Sequence, residues 1–275
     1  MNGVNVCPLG SLEILLLAVD GSEYSEGAIK ESIAFAKMCF SKIHVITVID
    51  INLAYNTAGV EEETVEYLNS IKKRAVHEGV ECETIFHYGE EPHLLIVDEA
   101  SKRKADMIIV GKHGRKGLLK LMMGEVAAKV IGDAPCKVLV VPKTSKIECK
   151  KILVATDGSA HSNAAATEAV GIARKCGGSI IAFSAVHSDE EMEEAGSNVK
   201  KVVAMAQSEG VPAETLTPKG KSYEVIVETA NGRGVDLIVM GTYGKTALKR
   251  LLMGSTAEKV IGSAECAVLV VKARS

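Results

Sequence analysis

Two stretches of this chain are near copies of each other. Residues 105–141 align with residues 235–271 without a gap and are identical at 19 of 37 positions. Upstream, the apolar run from Glu13 ends in Asp20-Gly21-Ser22, and the run from Lys151 ends in Asp157-Gly158-Ser159. Both continue as D-G-S-x-x-S-x-x-A, through Ser25 and Ala28 in the first copy and Ser162 and Ala165 in the second. A repeat of this length is a whole domain, since solenoid units run roughly 20 to 50 residues. The chain is therefore expected to fold as two similar bodies, residues 1–145 and 146–275, with the break in the polar stretch KTSKIECK at 143–150. The offset between copies falls from 137 at the aspartates to 130 at the later glycines, so the second copy has lost seven residues, expected after its second strand.

Within the first copy, apolar runs at 13–19, 42–49, 81–87, 106–110 and 137–141 alternate with amphipathic stretches at 25–38, 60–78, 91–102 and 124–131. Strands alternating with helices argue for βαβ units around a parallel sheet. Right-handed crossovers place helices on both faces, and ligands of such sheets sit beyond the carboxyl ends of the strands, where strand order reverses. The expected fold is α/β: two tandem doubly wound domains, each a five-stranded parallel sheet. The aspartate after the first strand and the glycines after the fourth would then share one crevice.

Those glycines are Gly241, Gly244 and Gly254, the last leading into Ser255-Thr256-Ala257-Glu258 at a helix start. Glycine lets backbone N–H groups approach a ligand, and a helix N-terminus offers unpaired donors and a positive dipole end, so the segment can cradle phosphate. Ser255 and Glu258 also have capping-box spacing, which would close the helix end with no ligand. Asp157 has its own structural alternative as an N-cap or turn residue. Gly244-Lys245-Thr246 is not the tail of a Walker A loop, because the position of its first glycine is Val239.

Gly241-x-x-Gly244, nine further residues, then Gly254-Ser255 resembles the nucleotide signature of the universal stress protein family, in its ATP-binding branch. The resemblance covers nearly the whole chain as two tandem copies and implies a Rossmann-like, adenine nucleotide alpha hydrolase-like fold. It also implies that Asp157 and Val186 flank an adenine with Ala155 and Thr156 alongside, that Met240 and Gly241 lie near the ribose, that Gly244, Gly254, Ser255 and Thr256 hold phosphates, and that Thr242 belongs to the same site. The ligand would be ATP or AMP, with Mg²⁺ arriving on the phosphates rather than in a protein cage.

In the first copy the matching positions are Ala18, Val19, Asp20, Val48, Val110, Gly111, Gly114 and Gly124, but Glu125 stands where the family pattern has Ser or Thr. An ionised carboxylate repels phosphate and cannot donate a hydrogen bond. The first site is then empty, takes fewer phosphates, or turns Glu125 outward; reduced affinity is the expectation. Lys112, Arg115 and Lys116 offer compensating charge, or form an ordinary solvated loop. His113 and His161 fall beside the two crevices in surface or supporting positions. The acidic run from Asp189 to Glu194 reads as the solvated start of a helix.

A net charge of -3 and 4% aromatic residues give no basis for nucleic-acid binding. No apolar run approaches the roughly 20 residues of a membrane span, and no signal peptide pattern opens the chain, so a cytoplasmic location is expected. Seven cysteines without a CxxC pair suit reduced interior thiols. No general base or nucleophile can be assigned. The chain is thus read as a nucleotide-binding stress-response or signalling protein acting through an unknown protein partner, with weak ATP hydrolysis at most. The alternatives are an ATP hydrolase or phosphotransferase and a ligand-free dimeric interaction module. The last strands, CKVLVV and CAVLVV, are candidate edges for an intrachain pseudo-dimer or a homodimer.

Overall fold

The computed structural model describes residues 12–49, 51, 57–114, 123–244 and 253–273. Two compact units emerge, with the division along the chain falling between Thr144 and Ser145.

The first unit runs β1 (Ile14–Ala18), α1 (Glu26–Cys39), β2 (Lys42–Ile49), α2 (Thr57–His77), β3 (Cys82–Tyr88), α3 (Pro92–Lys102), β4 (Met107–Gly111), α4 (Glu125–Asp133) and β5 (Lys137–Val141). Its strands pair in parallel in the order β3-β2-β1-β4-β5. The second unit repeats the plan with β6 (Lys151–Ala155), α5 (Ala160–Cys176), β7 (Ser179–Phe183), α6 (Met192–Ser208), β8 (Ala213–Leu216), α7 (Ser222–Arg233), β9 (Leu237–Gly241), α8 (Ser255–Ser263) and β10 (Ala267–Val271). Its parallel order is β8-β7-β6-β9-β10. This is the doubly wound α/β architecture expected from the repeat.

Central strands are continuous apolar runs because helices cover both faces of the sheet. Leu15, Leu16 and Leu17 in β1 and Ile152, Leu153 and Val154 in β6 have no exposure at all. In the second unit α5 packs on α6, and α7 on α8. Strand order reverses between β6 and β9, so their carboxyl ends open the crevice of this unit.

An aspartate in each unit fixes that register. Asp106 Oδ2 accepts hydrogen bonds from the amides of Glu13 (2.8 Å) and Ile14 (3.0 Å), tying the start of β1 to the start of β4. Asp236 Oδ2 does the same for Lys150 (2.9 Å) and Lys151 (3.1 Å) at β6 and β9. Burial, the largest influence, holds the Asp236 carboxyl above its ordinary range, and its Oδ1 is buried with no hydrogen-bond partner among the described residues.

The lost residues fall mainly where expected. Strand register matches Ile43 with Ile180 and Cys82 with Ala213, so the offset drops from 137 to 131 between second and third strands. One described cysteine departs from the thiol expectation: Cys39 is disulfide-bonded, whereas Cys82, Cys136, Cys149, Cys176 and Cys266 are in no disulfide. An odd total forbids complete pairing but not a single bridge. No helix among the described residues is long and apolar enough to cross a membrane.

Candidate functional site

After β6 the chain turns sharply at Gly158, whose φ of +78° is the left-handed conformation that suits glycine. Asp157 Oδ1 accepts the Ser159 amide at 3.0 Å, closing an Asx turn. Ser159 is the N-cap of α5: its hydroxyl accepts the Ser162 amide at 3.2 Å and reaches the Tyr243 carbonyl at 3.4 Å. The helix cap is therefore Ser159, and Asp157 is a turn residue. The Thr156 side chain is spent internally, sharing a 3.2 Å hydrogen bond with Ser162 and accepting the Gly158 amide at 3.2 Å.

Across the crevice, the glycines after β9 occupy places a side chain could not. A Cβ on Gly241 would lie 2.8 Å from the backbone of His161 and Ser162, where the first turn of α5 crosses. A Cβ on Gly244 would lie 2.6 Å from Asp157 Oδ2, so the glycine loop rests directly on that carboxylate. The rings of His161 and Tyr243 meet edge to face at 5.5 Å, joining the two loops at their outer side. Thr242 faces away from the crevice chemically: its amide and hydroxyl both donate to the Val271 carbonyl.

The start of α8 is open. Its N-cap is Gly254, which makes no side-chain cap; Ser255 is the first helical residue, so the capping box expected of Ser255 and Glu258 does not form. The first amides of a helix have no intrahelical acceptor. Those of Ser255, Thr256 and Ala257 are bonded to no described residue, nor are the Ser255 and Thr256 hydroxyls, while Glu258 is the first to donate, to Gly254 at 3.1 Å.

These parts surround a cavity of about 550 Å³. Ala155, Thr156, Asp157, Val186, Met240, Gly241, Thr242, Gly244, Gly254, Ser255 and Thr256 all line it. Side chains that sequence reasoning missed complete the wall: Asn198 and Ile226 inside, Glu191 and Glu194 at the rim. The acidic run thus belongs partly to the crevice, with Glu191 Oε2 accepting the His187 amide at 2.7 Å. Among the described residues, no group of three His, Cys, Asp or Glu side chains is placed to hold a metal ion.

At the end of β7 the polar backbone that faces the crevice is one residue away from Val186. The Val186 amide donates to Pro218 (3.0 Å) and its carbonyl accepts from Gly220 (2.9 Å), leaving only its buried side chain as wall. The N–H and C=O of Ala185 are bonded to no described residue, and Ala185 lines the cavity. Leu17 pairs with Val45 and its counterpart Val154 with Ala182, so in the repeat Ala182 is equivalent to Val45, Ala185 to Val48 and Val186 to Ile49. The matching of Val186 with Val48 is off by one, and alternation along an extended strand makes one residue decide which edge is presented.

In the first unit the same scaffold recurs with different fittings. Ala18 and Val110 end β1 and β4, and Gly111 meets the Tyr24 carbonyl at 3.0 Å through a would-be Cβ. Gly114 likewise sits 2.9 Å from Asp20 Oδ2, and the Gly124 amide donates to Lys112. The Val19 carbonyl accepts the Thr47 hydroxyl. Asp20 Oδ1 gathers the Ser22 amide (3.0 Å), the Ser22 hydroxyl (2.7 Å) and the Ser25 hydroxyl (2.9 Å). Tyr24 and His113 form the ring pair, at 5.6 Å, with the residue types exchanged relative to His161 and Tyr243.

Glu125 turns outward: its side chain is 79% exposed and pairs with Lys129 at 2.8 Å, one helical turn on. Lys112 is buried, contrary to a solvated-loop reading, while Arg115 and Lys116 lie outside the described residues. The larger difference comes from α2. Its C-terminus matches that of α6 at an offset of 131, which sets Tyr67 against the cavity-lining Asn198. The Tyr67 hydroxyl is buried without a partner among the described residues; burial first, then the charges of Asp20 and Glu26, push it up to about 12.

Comparison with known proteins puts names to this repeat. The family model described as "Universal stress protein family" matches residues 12–142 and again 148–272. A universal stress protein of Methanocaldococcus jannaschii is 41% identical over 139 residues, covering 45% of this chain and 82% of its own length. One from Thermus aquaticus is 36% identical over 135 residues, covering 45% of this chain and 98% of its own length. The crystal structure of an Archaeoglobus fulgidus universal stress protein shares the fold with a TM-score of 0.80 at 22% identity, over 94% of this chain and 96% of that one. With both halves matched, the chain belongs to the universal stress protein family and carries two tandem copies of its domain.

Proposed function

We propose that the second unit binds an adenine nucleotide, ATP or AMP, and that the chain acts in stress response or signalling through a partner that distinguishes its bound and free states. The observation that carries this reading is the uncapped start of α8. Three amides and two hydroxyls without described partners stand at the wall of a cavity that Asp157 and the open backbone of Ala185 also line.

Each group suits one part of the ligand. The α8 amides and the Ser255 and Thr256 hydroxyls donate to phosphate oxygens, helped by the helix dipole. The Ala185 N–H and C=O, one donor and one acceptor on a strand edge, match the edge of an adenine. The volume falls within the roughly 300–1,000 Å³ of small-molecule sites. Mg²⁺ would arrive on the phosphates. Binding rather than turnover is the proposed activity.

In the first unit, Tyr67 replaces Asn198 and Asp20 is tied by two hydroxyls, which supports weaker binding there. The outward Glu125 does not. Calorimetric titration of nucleotide-stripped protein with ATP and AMP, each with and without Mg²⁺, tests the proposal. One site per chain is expected, lost when Gly254 is replaced by a bulky residue. No binding would favour the interaction module, and ATP consumption abolished by Asp157→Asn would favour the hydrolase.

A further inference from the structure

At the opposite end of α5 from the crevice, two cysteines meet. Helix α5 ends at Cys176, and Gly177, with φ +66°, turns the chain back toward β7. The next residue, Gly178, packs so tightly on the segment entering β6 that a Cβ there would overlap the Cys149 carbonyl, and the Ser179 amide donates to Lys150 at 2.9 Å. Backbone packing alone therefore sets Cys149 beside the turn that begins at Cys176. Cys149 takes a left-handed φ of +53°, unusual for a residue with a side chain, and its thiol is buried, while Cys176 is half-buried. The Cys149 side chain, as a hydrogen-bond donor, is the largest influence on Cys176 and draws its thiol below its ordinary pKa, against burial and the charge of Asp236. The repeat supplies an independent pointer. At the offset of 137, Cys176 corresponds to Cys39, each the last residue of its helix, and Cys39 is disulfide-bonded.

We propose that Cys149 and Cys176 form a redox modification site, oxidised reversibly by hydrogen peroxide to an intrachain disulfide that ties the entry of β6 to the end of α5. The more accessible Cys176 reacts first. Its thiolate sulfur attacks one peroxide oxygen, the O–O bond breaks, and the departing hydroxide takes a proton to become water, leaving a sulfenic acid. The Cys149 sulfur then attacks the Cys176 sulfur, the S–O bond breaks, and the hydroxide leaves with the Cys149 proton as a second water. Two thiols and one peroxide become one disulfide and two waters; an added dithiol returns both thiols.

The test uses the full chain, reduced with a phosphine, treated with hydrogen peroxide, alkylated and mapped by mass spectrometry. Expected are a peptide pair linked through Cys149 and Cys176, two fewer alkylatable thiols from this pair, and recovery of both with dithiothreitol. Cys149→Ser should leave a sulfenic acid on Cys176 that a dimedone probe captures, and Cys176→Ser should leave Cys149 unmodified. Both thiols still alkylating after peroxide, in wild-type protein that retains its native circular dichroism, would overturn the proposal, as would pairing of either with another cysteine.

Discussion

Adding one methyl group at Gly244 tests whether the crevice of the second unit is the binding site. In Gly244→Ala the new carbon would stand 2.6 Å from Asp157 Oδ2, where ordinary contact begins at 3.4 Å, so the carboxylate and the loop must part by about 0.8 Å. Asp157 cannot yield freely, because its other oxygen holds the Ser159 amide at 3.0 Å and that turn positions the cap of α5. The displacement should remove one charge-assisted contact to the ligand, worth about 1.5–3 kcal/mol, which is roughly a 10- to 150-fold rise in Kd. Gly114→Ala makes the equivalent change against Asp20 in the first unit, with a clearance of 2.9 Å. Isothermal titration with ATP should show the loss for Gly244→Ala and no change for Gly114→Ala. Equal affinity for Gly244→Ala and wild type, or a loss confined to Gly114→Ala, would refute the assignment to the second unit.

Further outcomes follow from single groups. Tyr67→Asn, which gives the first unit the residue that lines the cavity of the second, should raise ATP stoichiometry from one toward two per chain; an unchanged value would mean that another feature closes that site. Asp236→Ala leaves the Lys150 and Lys151 amides without their acceptor in a half-buried place and should cost about 2–4 kcal/mol in chemical denaturation, with Asp236→Asn recovering much of it. Burial, then the positive charge of Arg103, lowers the pKa of His44 in the folded chain, so its contribution is present above the unfolded pKa near 6.5 and is lost as pH falls through the lower folded value. Melting curves from pH 7.5 to 5 should therefore decline more steeply for wild type than for His44→Gln, and parallel declines would contradict this.

What could be read from the residues was what local chemistry dictates. A branched apolar run ending at glycine, or D-G-S before a helix, announces a strand end and a turn wherever it occurs, so the eleven positions chosen in the second unit do meet around one cavity. What escaped depended on partners distant in the chain. The capping-box spacing of Ser255 and Glu258 was ambiguous until the helix was seen to begin at Ser255 rather than after it. Ala185 and Val186 are adjacent, and only the pairing with Pro218 and Gly220 reveals which one keeps its backbone for the crevice. Glu125 looked like the residue that spoils the first site, yet Lys129 draws it outward, and Tyr67 arrives from a helix whose alignment with α6 becomes readable only in three dimensions. The clamps at Asp106 and Asp236 span about ninety residues and leave no local signature.

Whether the open start of α8 holds phosphate is measured directly by the amide resonances of Ser255, Thr256 and Ala257 in isotopically labelled protein during parallel titrations with ATP and with adenosine. Donation to phosphate predicts large shifts of all three amides with ATP and small ones with adenosine, while the Ala185 amide responds to both. Shifts at Ala185 alone, or none at any of the four, would show that the cradle does not bind phosphate.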